Sequence, residues 1–175
     1  MSSIIKVNTF QDANGNALFS SDGSGNVTTS ASGLQNTPSF RYGFSGTQTF
    51  TTDTYTVMQF SNKVWDTDDA FNISTYKFTV PSGKAGKYMF VVSASTSTMP
   101  ADTTTFVGIQ IDGSNHVVAK HQNSSTTTQI PQCSVIASLS EGQEVNAVFR
   151  QAANQNEDVV QAIGTYFTGY KLIGA

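Results

Sequence analysis

The fold class this sequence predicts is all-β, a sandwich or jelly roll, and three observations predict it. Apolar residues recur at alternate positions in several short runs, the period of a half-buried strand. Turn dipeptides separate the runs: Ser82-Gly83, Asp112-Gly113 and Glu141-Gly142. No stretch carries a 3.6-residue period with helix caps. The composition agrees. Charged residues make up only 12% of the 175, where about 25% is usual. Ser, Thr, Asn, Gln and Gly replace them, while 12 Phe and 6 Tyr are enough for an aromatic core.

Residues 1–37 read as a short extended arm. They are rich in Gly, Asn, Ser and Asp. Two turns repeat ten residues apart, Asp12-Ala-Asn-Gly15-Asn16 and Asp22-Gly-Ser-Gly25-Asn26. Asn-Gly and Asp-Gly tolerate the positive φ of a tight turn. Extended pieces flank them: Ile4-Ile5-Lys-Val7, Ala17-Leu18-Phe19 and Val27-Thr-Thr. Such pieces bury little alone and need symmetry mates or a larger particle to lie against. Ile4, Ile5, Val7, Leu18 and Phe19 are the expected anchoring residues.

Residues 38–175 read as the main domain. Tyr88, Phe90, Val92 and Ala94 share a face of one strand. Val107, Ile109 and Ile111 share another, Val135, Ala137 and Leu139 a third, and Val145, Ala147 and Phe149 a fourth.

Several function classes are set aside. Net charge is -3, and the nine Lys and Arg are scattered singly from Lys6 to Lys171, so nucleic acid is not an expected partner. No apolar run approaches the roughly 20 residues of a membrane-spanning helix. The start of the chain lacks a signal-peptide pattern, which predicts synthesis in a cytoplasm. The single cysteine, Cys133, alternates within a strand and reads as a small buried hydrophobe. His116 and His121, five apart, fall on opposite faces of any strand and do not suggest a metal pair. No nucleophile-elbow, zincin or phosphate-loop motif occurs, and catalysis is not expected. The sequons at Asn26, Asn72 and Asn123 occur at chance frequency.

Asp66, Asp68 and Asp69 gather in one loop and are the candidates for a Ca²⁺ site, although a solvated loop is the ordinary place for such residues. Asp12-Ala-Asn14-Gly-Asn16 starts like a calcium loop but lacks its sixth-position Gly and twelfth-position Glu. No other cofactor is expected. Arg41, Tyr42, Phe44, Tyr55, Trp65 and Tyr170 are contact candidates whose commoner place is the core. The polar stretches Thr103–Thr105 and Ser124–Thr128 could meet sugars.

A family resemblance runs across residues 38 to 173 in the right order. Pro38-Ser-Phe40 resembles the opening Pro-x-Phe of C1q-type globular heads, and Phe60–Trp65 their early strand. Phe78, Pro81, Gly86, Tyr88 and Phe90 follow the Phe-x-x-Pro…Gly-x-Tyr-x-Phe core. Ile109-Gln-Ile-Asp112-Gly113, Leu139-Ser-Glu-Gly142-Gln143-Glu144-Val145 and Phe167-Thr-Gly169-Tyr170 resemble the later hairpin, turn and closing strand. The resemblance implies a C1q/tumour-necrosis-factor-like jelly roll, a homotrimer and a non-enzymatic role. It makes Phe78, Tyr88, Phe90, Phe167, Gly169 and Tyr170 the core and trimer scaffold. Two departures stand out: two extra residues within Ser82-Gly-Lys-Ala85, and Gln143-Glu144 where the family turn has Asp. The arm resembles the openings of phage structural and tail-fibre proteins. Together these imply a virion-surface protein, a capsid decoration or tail appendage, joined to other virion proteins by its arm. The alternative is a host-surface carbohydrate- or receptor-binding module.

Overall fold

The computed structural model describes residues 7–29, 35–153 and 155–173. Three short strands come first: β1 (Thr9–Gln11), β2 (Ala17–Ser21) and β3 (Val27–Thr29). Next come β4 (Ser39–Gly43), β5 (Gln48–Phe50), β6 (Thr56–Val57), β7 (Asn62–Asp66), β8 (Phe71–Asn72), β9 (Lys77–Thr79) and β10 (Gly86–Ser93). The rest are β11 (Thr98–Met99), β12 (Thr104–Ile111), β13 (Ser114–Gln122), β14 (Thr127–Thr128), β15 (Gln132–Leu139), β16 (Glu144–Gln151), β17 (Glu157–Val159) and β18 (Tyr166–Lys171).

Two antiparallel sheets form a sandwich. One has the order β15-β10-β18-β4-β7; the other runs β13-β12-β16-β9-β8, with β6 also on β16. The non-consecutive neighbours are those of a jelly roll, in which the chain crosses repeatedly between sheets. Alternation puts Tyr88, Phe90 and Val92 of β10, Phe167 of β18 and Phe40 and Tyr42 of β4 inside. They meet Phe78 of β9, Val107 and Ile109 of β12, and Val145, Ala147 and Phe149 of β16, all buried. The Phe40 ring lies 5.1 Å from both the Phe78 and Phe167 rings, within the range where aromatic pairs attract beyond simple burial.

Gly169 makes this aromatic packing possible. A Cβ there would lie 2.5 Å from a Phe90 ring carbon and 2.9 Å from one of Phe40. The two rings occupy the space a side chain would need.

At the other end the interior turns polar. Gln129 accepts the Thr105 hydroxyl at 2.8 Å and donates to the Thr103 carbonyl at 3.4 Å. Gln151, fully buried, donates to the carbonyls of Phe50 and Gln155 and accepts from the Ala153 amide. These side chains satisfy loop backbone groups that would otherwise be costly to bury.

Both departures from the family wording have local partners. Gln143 accepts from the Ser140 amide and donates to the Asp112 carboxylate, each at 2.8 Å. It thereby ties the β15–β16 turn to the β12–β13 hairpin. In the longer β9–β10 loop, the Lys84 carbonyl accepts the Tyr88 hydroxyl at 2.5 Å, and burial pushes that phenol up to about 12.

Residues 9–29 form a separate meander, β1-β2-β3. Both repeated turns have one design. Asp12 accepts from the amides of Asn14 and Asn16 and from the Asn16 side chain; Asp22 does the same with Ser24 and Asn26. Gly15 and Gly25 have φ of 83° and 91°. Of the extended piece expected at Ile4–Val7, only Val7 is among the described residues. β1 starts at Thr9, and Val7 lies outside any strand. Ile4 and Ile5 fall outside the described residues. Phe10, too isolated in sequence to count as a strand residue, pairs with Phe19 across the ladder.

Candidate functional site

The outward face of the five-stranded sheet carries the most distinctive surface. Along β10 the residues that alternate with the core are Lys87, Met89, Val91 and Ser93. Met89 pairs with Ile136 on one side and Tyr170 on the other. Ile136 is 59% exposed and Tyr170 38%. The next row runs Ser134, Val91, Thr168, Arg41 and Trp65. Outward positions of a solvated sheet are normally polar. Here an apolar band of Ile136, Met89, Val91 and Tyr170 crosses neighbouring strands.

Beyond that band, at the β7 edge, lies an open groove of about 440 Å³. Gly43 of β4 forms its floor, where a Cβ would meet only the Thr165 carbonyl at 3.5 Å and the Asn62 amide nitrogen at 4.0 Å. Val64 and Ile163 are among its apolar lining, and Gln161 adds a second amide. The Arg41 guanidinium lies over the Tyr166 ring, 4.3 Å from its centroid. The four ion pairs are Lys63–Asp69, Lys77–Glu144, Lys84–Asp68 and Arg150–Asp53, so Arg41 has no carboxylate partner among the described residues.

The sequence candidates fall in several places. Phe78, Tyr88, Phe90 and Phe167 lie in the core, while Tyr170 faces outward. Among the contact candidates, Tyr42 and Phe44 are buried; Trp65 and Tyr55 are 43% and 36% exposed. Leu18 and Phe19 are partly exposed on β2.

Asp66, Asp68 and Asp69 share a loop but not a common point. Asp66 accepts from the amides of Ala70 and Phe71 and from the Tyr42 hydroxyl. Asp69 pairs with Lys63 at 2.5 Å, and Asp68 accepts the Thr67 hydroxyl. Among the described residues no group of three or more His, Cys, Asp and Glu could hold a metal ion. The loop geometry therefore uses these carboxylates as turn caps and ion-pair partners.

One expectation is corrected. Thr103 and Thr105 are buried and engaged with Gln129, so they do not meet a sugar; Ser124–Thr128 are exposed. His116 and His121 lie on one strand, and His116 sits at the β12–β13 bulge, where Ile109 pairs with Val117 and Gln110 with Asn115. Both histidines are exposed. Cys133 is half-buried, and burial pushes its thiol up to about 11, far from a reactive thiolate.

The Arg41–Tyr166 stack and the Met89–Ile136 pair escaped sequence reading, because their partners lie far apart in the chain. One signal was present: Met89, Val91 and Ile136 are apolar at positions the strand period reserves for polar residues.

The C1q domain family profile matches residues 40–172. No curated protein sequence matches the chain. Among solved structures, the globular domain of zebrafish complement 1qA is similar at 18% identity and a TM-score of 0.56, covering 77% of this chain and 97% of that one. The Eiger TNF of S. frugiperda is similar at 11% identity and a TM-score of 0.56, covering 78% and 93%. At such identities these two establish the shared fold.

Proposed function

The chain belongs to the C1q domain family, and from that premise we propose that it is a non-enzymatic, homotrimeric head on a phage virion, a capsid decoration or tail appendage. C1q and TNF homologues form homotrimers, and domains of this class often bind ligands and are typically non-enzymatic. The observation that carries the trimer is the outward band of Ile136, Met89, Val91 and Tyr170. Threefold closure would take this band out of water.

Residues 1–37 act as the anchoring arm and 38–175 as the head. What supports this division is the poverty of the arm sheet. No described residue from Val7 to Thr29 is buried. Three short strands with no buried side chain are marginal alone, so a partner surface is needed. A hollow of about 260 Å³ lined by Val7, Phe10, Phe19 and Val27 offers the apolar contact. The repeated turn wording, which resembles that of phage structural proteins, makes a virion protein the favoured partner and the virion surface the favoured location.

Two measurements test the reading. The full chain is expected to sediment as a trimer at micromolar concentration; a monomer there would count strongly against it. A reconstruction of the parent particle is expected to show residues 1–37 seated on a capsid, collar or tail protein. Free arms, or a chain missing from the particle, would overturn the anchoring role.

A second reading, a host-surface saccharide-binding module, is favoured by one observation. The groove beside Arg41 joins apolar and amide side chains around a cation that has no carboxylate partner among the described residues.

A further inference from the structure

We infer that the groove at the β7 edge binds an acidic saccharide, with Arg41 taking the sugar's carboxylate. The inference rests on the second reading above and gives that site a ligand class.

Charge is the first argument. Arg41 is half-buried, stacked on Tyr166, and without a carboxylate or hydrogen-bond partner among the described residues. A stacked guanidinium is held in place before any ligand arrives, which reduces the ordering cost of binding. Its planar fork suits a carboxylate, with two parallel N–H donors on two oxygens. No Asp or Glu is among the described residues that line the groove, so a ligand's negative charge would meet no carboxylate from them. Arg41 is also the one cation among the described lining residues, which fits a single negative charge better than a doubly charged phosphate.

Shape and lining are the second argument. About 440 Å³ lies within the usual range of small-molecule sites. Asn62 and Gln161 bring amides that both donate and accept, as sugar hydroxyls require. Val64 and Ile163 supply apolar contact for the C–H faces of a ring. Ile163 is 97% exposed, an unusual position for so large an apolar side chain.

An extended peptide fits less well. β7 is the edge strand, but its register shifts between Arg41 and Tyr42. That bulge interrupts the row of backbone groups a peptide strand would pair with.

The test is calorimetric titration of the full chain with four probes: a disaccharide ending in glucuronic acid, the same disaccharide ending in glucose, acetate, and a short Asp/Glu-containing peptide. The glucuronide is expected to bind at least about tenfold more tightly than the other three. Arg41→Gln is expected to abolish the preference for acid over neutral sugar. Gly43→Leu fills the floor and is expected to weaken both sugars. It does so at ordinary backbone φ, so it keeps the test alive should the Arg41 variant fold poorly. Lys87→Gln, outside the groove, is expected to change nothing. Each variant is checked by its melting temperature.

Equal binding of acid and neutral sugars, tighter binding of the peptide, or no sugar binding would overturn the inference. So would an Arg41→Gln protein that sediments as a monomer, since Arg41 would then serve a neighbouring copy. A trimer that ignores the glucuronide refutes the site and leaves the trimer standing. A monomer that binds it refutes the trimer and leaves the site.

Discussion

The arm sheet and the head sandwich are both antiparallel β-structure, yet they are held by different forces. In the head, Phe40, Phe78, Phe90 and Phe167 are at most 1% exposed and their rings touch. In the arm, Phe10 and Phe19 pair across a ladder but stay 56% and 40% exposed. The head is stabilised by burial between two sheets. The arm is shaped by its turns, where Asp12 and Asp22 gather amide donors, and none of its described residues from Val7 to Thr29 is buried. Tight turns specify a conformation; only burial supplies much free energy.

Breaking the head should cost most. Phe90→Ala removes a fully buried ring at the centre of the cluster and is expected to destabilise by about 3–5 kcal/mol in chemical denaturation. A loss near zero would mean that the aromatic cluster is not what holds the sandwich. Gly169→Ala forces a methyl into the Phe90 and Phe40 rings and is expected to cost about 1–3 kcal/mol. An unchanged midpoint would show that the rings can give way.

Those two residues also show what was legible in the sequence. The strands of Tyr88, Phe90 and Val92, and of Val145, Ala147 and Phe149, follow a strict period of two, so their faces could be read directly. Gly169 was legible only as part of the scaffold, not for the rings that fill the space beside it. β13 was not legible, because only Val117 and Ala119 pack against the core and, apart from Val118, polar residues fill the rest. β16 was read as one-faced, yet Asn146 and Val148 on its other face are also buried. The side chains of Val118 and Val148 close over Gly108 there, within 3.1 and 3.2 Å of where its Cβ would be. The groove was the least legible part. Arg41 and Tyr166 meet only because β4 and β18 are neighbours in the sheet.

The arm should respond weakly. Phe19→Ala is expected to leave the head's unfolding midpoint within about 0.5 kcal/mol, since no buried contact is lost. A larger fall would show that the head leans on the arm. Smallest is the response to acid. Side-chain amides of Asn16 and Asn26, helped by backbone amides, hold the Asp12 and Asp22 carboxyls below the usual 3.8. Because these folded values are depressed, the turns' support is complete above pH 3.8 and is lost as pH falls below it through the lowered values. Amide NMR during an acid titration should show Asn16 and Asn26 shifting below pH 3.8. Titration of these resonances above that value would contradict the turn geometry.

The most direct measurement concerns the outward band. Sedimentation velocity of the 18.7 kDa chain and of Ile136→Asp, each at micromolar concentration, tests whether that band is the trimer surface. The account predicts a mass three times 18.7 kDa for the natural chain, and a folded monomer with an unchanged β-sheet spectrum for the variant. A natural chain that sediments at 18.7 kDa, or a variant that stays trimeric, would contradict it.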